Sequence, residues 1–281
     1  MKIELLAFDL DGTVLDNQQQ ISPANKSALA GARDAGIQMV PCTGRSLSHL
    51  ADSLVFLFNE LGFEAFPYII TDNGAQAYSL PGREQLFTVS IDEKTSLDIL
   101  EESRTYRAIT YCSFGAEGGT DNRGAAWEDG TGQAMLDSYS EKWYLPVVDI
   151  EPLIRWNCGA VKFTLNFHDN DEFMAARKKF SRRPDLSMAF YDHGSLEITV
   201  NGIHKGTTLR LIAEHAGIPM DRIMAIGDNY NDMEMVGDAG WGVAMGNAVA
   251  ALKEKAAWVT AANDKDGLAL AVRKMLAERE A

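Results

Sequence analysis

Short apolar runs alternate with amphipathic stretches through the first third of the chain. Ile3 to Phe8 is apolar except for Glu4, the pattern of a strand covered on both faces. Ser22-Pro23 supplies an N-cap and a proline at the first helical position, and Gly36 ends the helix that follows. Ile37 to Val40 reads as the next strand. Leu47, Leu50, Leu54, Leu57 and Leu61 recur at helical spacing, which predicts a helix over 46–61 closed by Gly62. Pro67 to Thr71 is a third strand, and Asp72-Asn73-Gly74 is a turn signal. Repeated β-α-β units predict parallel strands with right-handed crossovers.

From about residue 85 the pattern changes. Helices over Asp92–Tyr106, Gly132–Trp143 and Asp169–Arg183 alternate with strands over Ala108–Phe114, Val161–Phe167 and Ser187–Tyr191, around a glycine-rich loop at 115–132. Beyond Asp192-His193-Gly194 comes the extended run Ser195–Val200. The β-α pattern then resumes: a helix over Thr207–Ala216, a strand over Ile223–Ile226 and a helix around Asp232–Val236. Short strands at Trp241–Ala244 and Trp258–Val259 and a final helix from Leu268 complete it. No repeat of fixed period and no low-complexity tract is present.

The residues that carry chemistry lie at the ends of these elements. Asp9 and Asp11, in Ala7-Phe8-Asp9-Leu10-Asp11-Gly12-Thr13, emerge where the first strand meets its loop. Ligands of open α/β sheets bind at such carboxyl ends. Two carboxylates there repel unless a hard cation such as Mg²⁺ offsets them, and Gly12 permits a sharp turn. A plain surface Asp-Gly turn is the bland alternative. A second acidic group, Gly227-Asp228-Asn229-Tyr230-Asn231-Asp232, follows the apolar run Ile223–Ile226. Between the two lie Cys42-Thr43-Gly44-Arg45 and His204-Lys205-Gly206. Carboxylates, a hydroxyl beside a glycine, and a lysine form the inventory for holding a phosphoryl group and a magnesium ion.

These motifs resemble those of the haloacid dehalogenase (HAD) superfamily, and of its Cof-type (class IIB) sugar-phosphatase-like branch. The string from Gly227 to Met235, followed by Gly242-Val243-Ala244-Met245-Gly246-Asn247-Ala248, is similar to the Cof-type signature along nearly its full length. The resemblance implies an α/β fold: a Rossmann-like core, with a parallel sheet flanked by helices, and an inserted α+β cap. It divides the chain into core (1–84), cap (85–193) and core (194–281). A tandem of two domains is the competing organisation, and it would separate Asp9 from Asp228.

The resemblance also implies roles. Asp9 becomes the nucleophile and a metal ligand, against the bland role of a purely structural ligand. Asp11 becomes the general acid and base, ligating metal through its main-chain carbonyl. Asp228 becomes the third Mg²⁺ ligand. Thr43, Gly44, Lys205 and Asn231 bind phosphate, the first two at a helix start where the dipole favours anions. Asp232 is expected to orient a metal-bound water. Arg45 is expected to reach the substrate or to be a solvated helix-start arginine, and Asn73 to be structural or to face the substrate. The implied activity is Mg²⁺-dependent hydrolysis of a small phosphorylated metabolite, with a sugar phosphate as first expectation, through an aspartyl-phosphate. A phosphomutase acting on hexose phosphates and a catalytically silent metabolite-binding HAD protein remain alternatives.

Composition narrows the partners. With 281 residues and 46% hydrophobic content the chain can bury one large core or two modest ones. A net charge of −14 argues against nucleic acid and against anionic membrane surfaces. Three widely spaced cysteines, without metal-ligand spacing, read as reduced thiols. No signal peptide and no run long enough to cross a bilayer is evident, so the expected location is cytoplasmic, as a monomer or homodimer.

Overall fold

The structure is a computed structural model describing residues 2–47, 58, 61–80, 82, 84–115, 117–121, 133–134, 136–137, 146–191 and 194–280. The chain forms two compact units. One comprises Met1–Arg45, Leu50–Phe87 and His204–Ala281, and the other Ser46–His49 and Thr88–Ile203.

The first unit is built on a five-stranded parallel sheet. Its order is Trp258–Val259, Trp241–Ala244, Ile223–Gly227, Leu5–Phe8, Gln38–Pro41. Every residue of Leu5–Phe8 is buried, as its unbroken apolar run requires of a strand with neighbours on both sides. Helix Pro23–Asp34 starts on the Ser22 cap, whose hydroxyl accepts from Asn25 N at 3.1 Å, and it packs on the C-terminal helix Gly267–Glu280. Tyr68–Thr71 joins the edge of this sheet through a parallel Cys42–Ile70 bridge. It turns back through Asp72–Gly74 into the antiparallel strand Gln76–Ser79. The predicted helix over 46–61 lies almost entirely outside the described residues.

The second unit holds a six-stranded sheet. Its order is Leu186–Tyr191, Ser195–Val200, Lys162–Phe167, Ala108–Phe114, Glu117–Asp121, Val147–Val148, antiparallel except for the last pair. Alternate residues (Phe163, Leu165 and Phe167, with Leu196 and Ile198) share one apolar core with Ile99 and Leu100 of helix Glu93–Ser103 and Phe173 and Phe180 of helix Asn170–Phe180. Truncating Phe163, which is fully buried there, to alanine is expected to cost about 3–5 kcal/mol, read as a fall in the denaturant midpoint.

Two features differ from the sequence reading. Ser195–Val200 was expected to begin the second core segment. It pairs instead with Lys162–Phe167 and Leu186–Tyr191, and the contact boundary falls between Ile203 and His204. The glycine-rich loop contains a strand, Glu117–Asp121, whose Gly118 and Gly119 lie opposite Ser113 and Cys112. The predicted helix over 132–143 lies largely outside the described residues. Among those residues no helix is long and apolar enough to cross a membrane.

Candidate functional site

Register places the two acidic motifs side by side. Leu5–Phe8 runs between Ile223–Gly227 and Gln38–Pro41, with Phe8 opposite both Ile226 and Pro41. Asp9 N donates to Ile226 O at 3.0 Å and Cys42 N to Phe8 O at 2.8 Å, so Asp9, Asp228 and Thr43 leave neighbouring strands at one edge. Carboxylate oxygens of Asp9, Asp228 and Asp232 all lie within 4.8 Å of one another.

Lys205, 0% exposed, joins two of the three. Its Nζ stands 2.5 Å from Asp9 Oδ1 and 2.7 Å from Asp232 Oδ1. The other Asp232 oxygen accepts from the main-chain N–H groups of Asp228 and Asn229, at 2.9 and 3.1 Å. Asp232 is therefore engaged at both oxygens, and Asp9 and Asp228 are the pair better able to hold a cation. Asp228 accepts from Thr13 Oγ1 at 3.3 Å and, at a longer 3.4 Å, from Asn247 Nδ2, which also donates to Gly12 O at 2.9 Å. Gly12 has φ +78°, and a Cβ there would lie 2.4 Å from Asp228 Oδ2. A side chain at this turn would have to displace the Asp228 carboxylate.

Electrostatics favours a cation at this cluster. Burial pushes the Asp9 carboxyl up to about 7; the charges of Asp232 and Asp11 act in the same direction, and Lys205 opposes them. Burial, then the charges of Asp9 and Asp232, also holds Asp228 well above the ordinary carboxylate range. Three carboxylates face one ammonium, and the donor set is all oxygen. Such a set suits a hard divalent ion of the Mg²⁺ type.

The remaining expected residues form two further groups. The Asp11 carboxylate lies outside the converging trio and is gripped bidentately by Arg45, with Nε to Oδ2 at 2.8 Å and Nη2 to Oδ1 at 2.5 Å. Arg45 also contacts Gln19. Thr43 is buried, its hydroxyl accepting from Arg45 N at 3.1 Å across Gly44, and its carbonyl accepting from Asn73 N at 3.1 Å. Asn73 in turn accepts from Asn231 Nδ2 at 3.0 Å. The sequence reading missed Thr13, Gln19 and Asn247 as contributors, although Thr13 and Asn247 stood inside the quoted motifs.

His204 is the N-cap of helix Lys205–Ala216, its Nδ1 accepting from Thr207 N at 3.0 Å. Burial lowers its pKa from the ordinary 6.5, with Glu234 and Asp238 opposing that shift and Lys255 and Arg210 adding to it. Because the folded value is depressed, the cap's contribution is complete above the unfolded pKa and is lost as pH falls below 6.5 toward the folded value. His204→Ala is expected to cost about 1 kcal/mol at pH 8 and less at pH 5. His204→Ser is expected to keep the cap without the pH dependence; urea midpoints at both pH values check this.

An α/β sheet edge bearing a lysine-bridged carboxylate cluster suits an enzyme that works on phosphoryl groups. The haloacid dehalogenase-like hydrolase family matches residues 6–272, and the chain belongs to that family. The Bacillus subtilis (strain 168) 5-amino-6-(5-phospho-D-ribitylamino)uracil phosphatase YcsE is 29% identical, over 96% of this chain and 95% of that relative. The solved structure of BT1666 from Bacteroides thetaiotaomicron, from a study of HAD-superfamily phosphatases, is 27% identical over 97% of this chain and 95% of the other, with TM-score 0.78. The HAD subclass IIB sugar phosphatase BT4131 superposes with TM-score 0.80 over 97% and 98% at 22% identity, a likeness of fold. The chain is an enzyme, a HAD-type phosphatase of the Cof-type branch.

Proposed function

We propose that this enzyme hydrolyses monophosphate esters of small cytoplasmic metabolites, sugar or polyol phosphates foremost, using Mg²⁺ and an aspartyl-phosphate at Asp9. The observation that carries this reading is the convergence of the Asp9 and Asp228 carboxylates beside the buried Lys205 ammonium. A relative named for a 5-phospho-D-ribitylamino substrate supports the polyol class. The first unit then corresponds to the HAD core and the second to its cap.

Asp9 attacks phosphorus as the ester P–O bond breaks, and Asp11, protonated once the bound ester has displaced Arg45 from it, gives that proton to the departing alkoxide. Lys205 stabilises charge on the phosphoryl oxygens, with Thr43, Gly44 and Asn231 as donors around them. Asp11 then takes a proton from water as that water attacks the phospho-Asp9 phosphorus, which releases inorganic phosphate and restores the Asp9 carboxylate. Asp9 and Asp228 would hold Mg²⁺, whose chemistry there would be charge neutralisation at the transferring group.

A phosphate-release screen over sugar, polyol and nucleoside monophosphates tests the proposal. Release from at least one sugar or polyol phosphate, abolished by EDTA and restored by Mg²⁺, is expected. Release that EDTA leaves intact contradicts the metal assignment, and conversion of a hexose phosphate to its isomer without release points to the mutase. Saturating Mg²⁺, at about 100 times its Kd, is expected to stabilise the fold by about 2.7 kcal/mol, and Asp228→Asn to lose that gain.

A further inference from the structure

The turn Asp72-Asn73-Gly74 holds three successive residues at positive φ (50°, 56° and 97°), two of them not glycine. All three are buried. A left-handed backbone disfavours most side chains and is tolerated by Asn and Asp, so this turn is specified by its residues. It also touches every element carrying a phosphate-binding candidate. Asp72 N donates to Arg45 O and Asn73 N to Thr43 O, which ties down the Thr43–Arg45 loop. Gly74 packs on the start of the Lys205 helix, where a Cβ would lie 2.4 Å from His204 O, and Thr208 Oγ1 donates to Gly74 O at 2.5 Å. Asn73 reaches the third element through its side chain.

That third element is the short turn Tyr230–Asp232. Its backbone is already held by the capping box of Asn229 and Asp232. The remaining freedom of the half-buried Asn231 lies in its side-chain torsions, and the 3.0 Å bond to Asn73 Oδ1 restrains them. One amide hydrogen of Asn231 is thereby given to Asn73.

We infer that Asn73 is a positioning residue, whose side-chain carbonyl aims the Asn231 carboxamide at a phosphoryl group held on the sheet edge. This deepens the proposed phosphatase reading and rests on it. Asn73 acts through Asn231, and the two therefore couple in a double-mutant cycle.

The experiment measures kcat/KM for the best ester found in the screen. Asn73→Gly accepts the left-handed backbone and deletes the side chain. It is expected to lower kcat/KM about tenfold in the wild-type background and less than about twofold in Asn231→Ala. Equal losses in both backgrounds, or no loss in wild type, overturn the inference. If Asn73→Gly fails to fold by circular dichroism, Asn73→Ser, whose hydroxyl is too short to reach Asn231, runs through the same cycle. If the wild type hydrolyses no ester, the phosphatase reading fails by itself. Calorimetric binding of orthovanadate with Mg²⁺ then reads the Asn73–Asn231 coupling, with the same two outcomes.

Discussion

Asp9→Asn is expected to abolish phosphate release, with a loss of about a thousandfold or more, while the fold survives. The carboxylate is the only group at this position able to attack phosphorus, and a carboxamide of the same shape is not a nucleophile. Stability is expected to hold because Asp9 is a charge buried at a cost: its carboxyl is pushed up to about 7, chiefly by burial. An asparagine carbonyl still accepts from Lys205, and Lys205 keeps its pair with Asp232. Steady-state phosphate release and thermal unfolding, run on one preparation, check both halves. A variant that retains near-wild-type turnover removes Asp9 from the mechanism.

Lys205→Met is expected to damage both stability and turnover. The ammonium is fully buried, and its partners hold its pKa above the usual lysine value in spite of burial, which opposes that shift. Removing it leaves Asp9, Asp228 and Asp232 facing one another without a cationic side chain between Asp9 and Asp232. Losing one partner of a buried ion pair costs about 3–5 kcal/mol, because the remaining charges stay desolvated. The double variant Lys205→Met with Asp232→Asn removes one of those orphaned charges and is expected to regain part of the stability. It is not expected to regain turnover, since the cation proposed to face the transferring phosphoryl group is still missing. Denaturant midpoints for wild type, single and double variants separate these effects. A single variant as stable as wild type contradicts the ion-pair account.

Much of this architecture is legible in local patterns, and the remainder depends on pairing. The unbroken apolar run before Asp9 and its counterpart before Asp228 announce parallel strands buried on both faces. Glycine and acidic residues at the strand ends mark the edge where ligands bind. Ser195–Val200 was misplaced because an extended run does not name its partner. Its alternation of Leu196 and Ile198 with Glu197 and Thr199 was nonetheless a period-two signal of an antiparallel sheet with one apolar face. Glu117–Asp121 lacked even that signal, its Gly118 and Gly119 having no side chain to show a face.

Within the site, residue types were readable and contacts were not. Asp9 and Asp228 could be paired by motif, but the Asn73–Asn231 bond joins residues 158 positions apart and has no trace in either local pattern. The grip of Arg45 on Asp11 is equally invisible, since an arginine at a helix start is ordinarily solvated. His204 is an uncommon N-cap, and only its geometry shows that a neutral imidazole fills the place usually held by Ser, Thr, Asp or Asn.

The most direct measurement is a crystal structure grown with Mg²⁺ and orthovanadate. One metal ion bonded to carboxylate oxygens of both Asp9 and Asp228 at about 2.1 Å is expected, with vanadium facing the Asp9 carboxylate beside Lys205. A metal held by Asp228 and Asp232 without Asp9, or vanadate bound away from this sheet edge, contradicts this assignment.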